Sequence, residues 1–250
     1  MNRLPSRACW LAWLLPLLGA ASSALAAPPA PLLITTEHTP PASMLVDGLL
    51  AGHETEKIRE MMTRTGTPYR IEQLPWKRAY TMAQTPSRTC VYPTARTAER
   101  ELQFKWVGPT DEADWVLWGR ADHSFPLNTL EDARKLRIGT YLGDVRDDYL
   151  RSRGFHVEAV PNDLLNPQKL MLNRIDLWAM GVTTAPHQKQ EWSGQIVPLL
   201  VFNRIKIHLA CSLAVPDELI ARLNAALDDM RRDGTVTRLD RKYENWVPPK

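Results

Sequence analysis

Two successive runs of alternating strand and helix signals constrain this 250-residue chain more than any other feature. In the first run, apolar residues over 32–36 read as a strand that ends in Thr35-Thr36-Glu37-His38 before Pro40-Pro41. A helix follows over 54–65, with Ile58, Met61 and Met62 on one side and Gly66 past its end. Residues 69–74 alternate as a second strand, Pro75 starts a helix over 76–84, and a third strand over 89–92 holds Cys90. The second run repeats the pattern: strand 136–141, helix 145–153 stopped by Gly154, strand 155–160, helix 163–173, and strand 175–180 stopped by Gly181. Such alternation implies parallel strands with right-handed crossovers. Each run has its own strand and helix set, so we expect two α/β lobes rather than one continued sheet.

The remaining elements frame these runs. Residues 115–118 read as a strand, and Asn128 opens a short helix with Thr129 and Asp132 at capping-box spacing. Apolar strands are expected over 195–202 and 205–214. Pro216 then begins a helix whose Leu219, Ile220, Leu223, Leu227 and Met230 share one face, and Gly234 ends it. One more short helix is expected over 235–243, followed by a loose tail at Val247-Pro248-Pro249.

The first 26 residues have the form of a secretory signal. Arg3 and Arg7 make a positive start, Trp10 to Leu18 is an apolar run, and Ala24-Leu25-Ala26 is a small-residue cleavage pattern. The mature protein is expected to start near Ala27, in the periplasm. The formal net charge of +3 then loses two arginines, which leaves the mature chain nearly neutral. There is no Lys/Arg run of the kind nucleic acid demands, so no nucleic-acid partner is expected. Cys9 leaves with the signal, and Cys90 and Cys211 remain. In an oxidising compartment an even pair favours a disulfide, the alternative being two buried free thiols.

Catalytic and metal signatures are scarce. The histidines show no HExxH spacing, and His53-Glu54-Thr55-Glu56 lacks a second His one turn on, so neither metal nor cofactor is expected. GxSxG, CxxC, GxGxxG and P-loop patterns are missing. The Asp144, Asp147 and Asp148 group reads as acids complementing a helix dipole.

The stretch from Cys90 to Arg100 carries the clearest ligand signal. We read it as a short strand through Tyr92, a loop opened by Pro93 that contains Thr94, and a new turn capped by Thr97. Arg100 would then project over the carboxyl edge of the sheet, where ligands collect in open α/β folds. Guanidinium is the group best shaped to grip a carboxylate with two parallel hydrogen bonds. Trp76 follows a strand end and could stack on a ligand, and Glu37 ends the first strand and could meet a ligand cation.

Taken in order, several segments resemble extracellular solute-binding protein family 3, the amino-acid-binding type of type II periplasmic binding proteins. They are Thr36-Glu37-His38-Thr39-Pro40-Pro41, Leu74-Pro75-Trp76-Lys77-Arg78-Ala79-Tyr80, Arg96-Thr97-Ala98-Glu99-Arg100, Leu136-Arg137-Ile138-Gly139 with Gly143, Asn173-Arg174-Ile175-Asp176, and the helix between Pro216 and Gly234. The resemblance implies two Rossmann-like lobes joined by two crossover strands with a ligand cleft between them. Lobe 1 would hold residues 27–112 and 208–250, and lobe 2 residues 113–207. It also implies that Arg100, in the Thr-x-x-Arg turn, holds a ligand α-carboxylate. Trp76 and Glu37 would line the cleft, backbone N–H groups near Arg146 would face it, and the strands of Cys90 and Cys211 would lie side by side.

The chain also departs from the family pattern. Pro93, Thr94 and Arg96 stand where the family has serines, Gly181 stands where an acid clamps the ligand ammonium, and Gly52-His53-Glu54-Thr55 replaces the Gly-Phe-x-x-Asp motif. The carboxylate grip is therefore expected without the usual ammonium grip, and Arg96 could share the anion role. The expected ligand set is Arg100, Trp76, Glu37, Thr94, Arg96 and Tyr92, with Arg146 and Trp178 from lobe 2. The expected function is non-catalytic capture of a small carboxylate-bearing solute by a monomer that serves an inner-membrane permease or a receptor. The alternative is a periplasmic enzyme on the same fold, similar to cyclohexadienyl dehydratase, with Glu37 as general acid.

Overall fold

The computed structural model describes residues 30–123, 125–181, 192, 194–244 and 246. The expected signal segment and the tail after Trp246 lie outside the described residues. In chain order the first elements are β1 (Leu32–Thr36), the hairpin β2 (Met44–Val46) and β3 (Leu49–Ala51), α1 (His53–Thr65), β4 (Tyr69–Gln73), α2 (Trp76–Gln84) and β5 (Thr89–Ala95). Next come the long strand β6 (Lys105–Arg120), a 3₁₀ turn at Leu130–Ala133, β7 (Arg137–Tyr141), α3 (Val145–Ser152), β8 (His156–Val160), α4 (Leu165–Met171) and β9 (Leu177–Gly181). The second long strand β10 (Ile196–Cys211), α5 (Asp217–Arg232) and α6 (Thr235–Tyr243) complete the fold.

Local chemistry explains most of these boundaries. Gly66 ends α1 in the left-handed conformation at φ 60°, with its N–H closing the last turn. Asp144 caps α3 by accepting from the Arg146 N–H. Thr129 and Asp132 do form a capping box, but it serves a 3₁₀ turn rather than an α-helix. The β2–β3 hairpin was not expected. It turns at Asp47-Gly48, both at positive φ, which is the preferred chemistry of a tight hairpin.

In place of the two sheets expected from the repeated alternation, there is one eight-stranded sheet, ordered β4-β1-β5-β10-β6-β9-β7-β8. The reason lies in the two long strands. The short strand expected over 115–118 is the far half of β6, and the two strands expected over 195–214 are one continuous β10. These 16-residue strands pair antiparallel along their length and carry β5 near one end and β9 near the other. Register shifts at Pro198/Leu200, Val201/Asn203 and Ile207/Leu209 interrupt the ribbon, and such bulges bend and twist a strand.

The apolar cores nevertheless separate. Leu32, Ile34, Ile58, Met61, Tyr92 and Leu223 belong to one cluster on the β1 side, packed by α1 and α5. On the β7 side, Val116, Trp178 and Met180 form a second cluster, and Leu117, Ile138, Leu150 and Leu177 a third. Cys90 and Cys211 are directly opposed on β5 and β10 and form a disulfide with a Cα–Cα distance of 3.9 Å.

Candidate functional site

The sheet topology decides where chemistry can gather. β1, β4 and β5 are mutually parallel, so their carboxyl ends open on one edge, at Glu37, Trp76 and the 96–100 turn. β7, β8 and β9 are likewise parallel and end at Tyr141, Asp163 and Gly181. The two edges meet across a cavity of about 120 Å³ lined by Glu37, Trp76, Arg100, Tyr141, Asp144, Arg146 and Gly181, among others. This cavity shares Arg100 and Trp76 with a larger one of about 1210 Å³ that also carries Tyr80, Arg96 and Asp148. It shares Glu37, Trp76 and Tyr141 with another of about 820 Å³ that carries Pro40, Leu74 and Asp163. Trp76 lines all three.

Arg100 is 6% exposed. Its backbone N–H closes a turn onto the Thr97 carbonyl at 3.1 Å, so the turn is made by the main chain rather than by the expected Thr97 side-chain cap. The guanidinium lies 4.8 Å from the Tyr80 ring centre and 5.9 Å from that of Trp76. Among the described residues no hydrogen bond or ion pair holds it. Taking a guanidinium out of water costs several kcal/mol, and cation–π contacts return about 0.5–2 kcal/mol each. The arrangement lacks an anion.

The other arginines are committed. Arg96 donates to both oxygens of Glu101, at 2.7 and 2.5 Å, and its guanidinium lies 5.5 Å from the Trp106 ring centre. Arg146 grips Asp144 at 2.8–3.0 Å through Nε and reaches the Met180 sulfur through Nη1 at 3.6 Å. Trp76 donates from Nε1 to the Gly143 carbonyl at 2.9 Å, which ties the start of α2 to the loop after β7.

Three expected ligand residues are placed elsewhere. β5 does not break at Pro93 but runs on to Ala95, and strand alternation then turns Pro93 and Ala95 toward the cavity. Tyr92 points into the core, where its hydroxyl meets the Thr55 hydroxyl at 2.9 Å. Thr94 is buried and donates to the Val91 carbonyl at 3.1 Å. Trp178 is a core residue, 2% exposed, whose indole N–H donates to Asp163 at 3.0 Å.

On the opposite wall the Tyr141 hydroxyl donates to Glu37 at 3.3 Å. Burial, and next the Asp144 charge, push the Glu37 carboxyl from its usual 4.5 up to about 8, against the Tyr141 hydrogen bond and the Arg146 charge. Burial likewise raises Asp163 to about 6, against Arg146 and the hydrogen bonds from Asn166 and Trp178. Asp163 and Tyr141 went unnoticed in the sequence, although Asp163 follows β8 in the same way that Glu37 follows β1. His53, Glu54 and Asp111 offer ligand atoms within 4.8 Å of one another, but the Lys57 ammonium stands 3.1 Å from Glu54 and already supplies the positive charge.

A fold of this kind, with two sets of parallel strand ends meeting over a shared cleft on two long antiparallel strands, is that of the type II periplasmic binding proteins. The model of the bacterial extracellular solute-binding proteins, family 3, matches residues 32–245, and the chain belongs to that family. No curated protein matches the sequence. Among solved structures, the chain is similar to a histidine kinase sensor domain resembling periplasmic binding proteins, with a TM-score of 0.79 at 18% identity over 88% of this chain and 98% of that one. It is also similar to an ancestral arginine-binding protein bound to arginine, with a TM-score of 0.74 at 20% identity over 85% and 97%. A third similar structure is an ancestral amino-acid-binding protein described as a precursor of cyclohexadienyl dehydratase, with a TM-score of 0.72 at 18% identity over 85% and 94%.

Proposed function

We propose that this protein captures a small carboxylate-bearing solute in the periplasm, without chemistry, by holding the carboxylate on Arg100 while the two strand-end edges close around it. The observation that carries this reading is a buried guanidinium with no counter-ion among the described residues, standing at the junction of two cavities. A bound carboxylate supplies the missing charge and two parallel acceptors. In this reading residues 27–112 and 208–250 move against residues 113–207, with the β6–β10 ribbon as the hinge. Trp76 forms the wall between the cavities rather than a free stacking plate. The solute then passes to an inner-membrane permease or is sensed by a membrane receptor, and the binding protein acts as a monomer.

The test is ligand-induced thermal stabilisation across L-amino acids, dicarboxylates and ω-amino acids. The expected result is a rise in melting temperature with at least one carboxylate, lost in Arg100→Ala. An Arg100→Ala protein that binds the same compound as tightly as the parent would reject the assignment.

One observation favours a second reading. A carboxyl raised to about 8 and facing the cleft, as Glu37 is, has the property a general acid needs at neutral pH. Turnover of prephenate or arogenate by the purified protein, abolished in Glu37→Gln, would establish an enzyme instead.

A further inference from the structure

Gly181 leaves the end of β9 without a carboxylate, yet the end of β8 supplies one. Asp163 accepts through Oδ1 from Trp178 Nε1 at 3.0 Å and from Asn166 Nδ2 at 2.8 Å. Its other oxygen, Oδ2, is shielded from solvent and accepts no hydrogen bond from the described residues. Native structures keep few such atoms, because an unsatisfied buried acceptor is costly. Across the same 820 Å³ cavity stands Glu37, with one oxygen on Tyr141 and the second without a hydrogen bond among the described residues. Around them three carboxylates, Glu37, Asp144 and Asp163, face one guanidinium, Arg146, which is spent on Asp144. The walls of this cavity are largely apolar, with Pro40, Leu74 and Leu164 among them.

We propose that Asp163, together with Glu37, forms a second subsite of the cleft that takes the ammonium of a primary amine carried on an aliphatic stem. The proposal rests on the reading of the cleft as a solute site, but not on Arg100. A primary ammonium has three N–H donors, enough to reach one open oxygen on each acid. It also brings the positive charge that the carboxylate cluster lacks. Trp178, buried beneath, acts as a positioning residue that fixes the Asp163 carboxylate so that Oδ2 faces the cavity. The raised Glu37 and Asp163 carboxyls fit this role, since an incoming ammonium displaces a proton and leaves the site electrically satisfied.

The test is titration calorimetry of the purified protein at pH 7.5 with three kinds of probe: 1,5-diaminopentane, glutarate, and ω-amino acids from 4-aminobutyrate to 6-aminohexanoate. Asp163→Asn keeps the shape and the Oδ1 acceptor for Trp178. We expect it to weaken the amine-bearing probes at least tenfold while glutarate stays within twofold. Arg100→Ala should do the reverse, so the two subsites fail separately. Repeating the parent titrations in buffers of different ionisation enthalpy gives a readout that needs no variant: proton release with amines and none with glutarate. A parent protein that binds no amine probe, amine binding without proton release, or an Asp163→Asn protein that binds amines as the parent does would each overturn the subsite. Loss of glutarate binding alone would bear only on Arg100.

Discussion

The indole nitrogen of Trp76 donates to the carbonyl oxygen of Gly143 across the cleft, at 2.9 Å, and the same ring lies 5.9 Å from the Arg100 guanidinium. One side chain therefore joins the two strand-end edges and walls the charge proposed to hold the ligand. Trp76→Phe keeps an aromatic wall and removes the donor. A neutral hydrogen bond contributes about 0.5–1.5 kcal/mol net, so ligand affinity should fall about 2- to 12-fold. Calorimetry measures the loss, and small-angle scattering should show a larger radius of gyration for the variant. Unchanged values in both would mean that the bond does not help hold the edges together.

Glu37 makes stability fall as pH rises. Burial and the Asp144 charge hold its carboxyl near 8 in the folded protein, against 4.5 as its ordinary value. Between those values the folded chain binds more protons than the unfolded one, so unfolding becomes easier with each step up in pH. Asp163, raised to about 6, adds in the same sense at the lower end of the window. Glu37→Gln, permanently neutral, should raise the melting temperature at pH 8, with the gain shrinking toward zero near pH 4.5. A gain that is the same at both ends would trace to packing rather than to charge.

Much of the fold could be read from residue patterns, because its signals are local. Pro75 and Gly66 bounded helices, and the Leu219, Leu223, Leu227 and Met230 stripe marked the face of α5 that is buried. The single sheet could not be read this way. Whether β6 and β10 run on for 16 residues depends on their pairing with each other, which no local window contains. The same distinction divides the site. Arg100, Trp76 and Glu37 reach the cleft because each follows a parallel strand end. Tyr92 and Thr94 do not, because β5 continues through Pro93 and its alternation turns them inward. Asp163 obeyed the strand-end rule but was read as a helix start, and α4 begins two residues later, at Leu165.

The Cys90–Cys211 bridge spans 121 residues of sequence and ties β5 to β10 at a directly opposed pair. Both residues are fully buried, so the bond sits inside the core under Leu32 and Ile34. Closing a long loop restricts the unfolded chain, and removing such a bridge costs about 2–5 kcal/mol. Cys90→Ala with Cys211→Ala should lower the denaturant midpoint accordingly, leaving ligand affinity intact because the cavity lining does not include either residue. A variant with unchanged midpoint would show that the unfolded ensemble gains nothing from being freed.

Lys57 is fully buried on α1, and its ammonium meets the Thr110 carbonyl on β6 at 2.8 Å, Glu54 at 3.1 Å and Asp240 on α6 at 2.7 Å. It thus joins three elements at the foot of the long ribbon. Burial alone would raise the Glu54 carboxyl, but the charges of Lys57 and His53 and the hydrogen bond from Thr110 hold it below its usual 4.5. Glu54 accordingly contributes stability at neutral pH that is lost as pH falls through that lowered value. Lys57→Met removes the compensating charge and leaves a buried carboxylate. The loss should be about 3–5 kcal/mol at pH 7, and burial then raises Glu54, so acidification should restore part of the lost stability instead of removing it. Adding Glu54→Gln to Lys57→Met should recover most of the deficit at pH 7, since replacing both partners of a buried pair by neutral groups is often nearly neutral. Chemical denaturation of the parent, both single variants and the double variant, at pH 7 and pH 4, measures each arm. A Lys57→Met deficit that is the same at both pH values would assign the loss to packing around α1 rather than to the stranded charge.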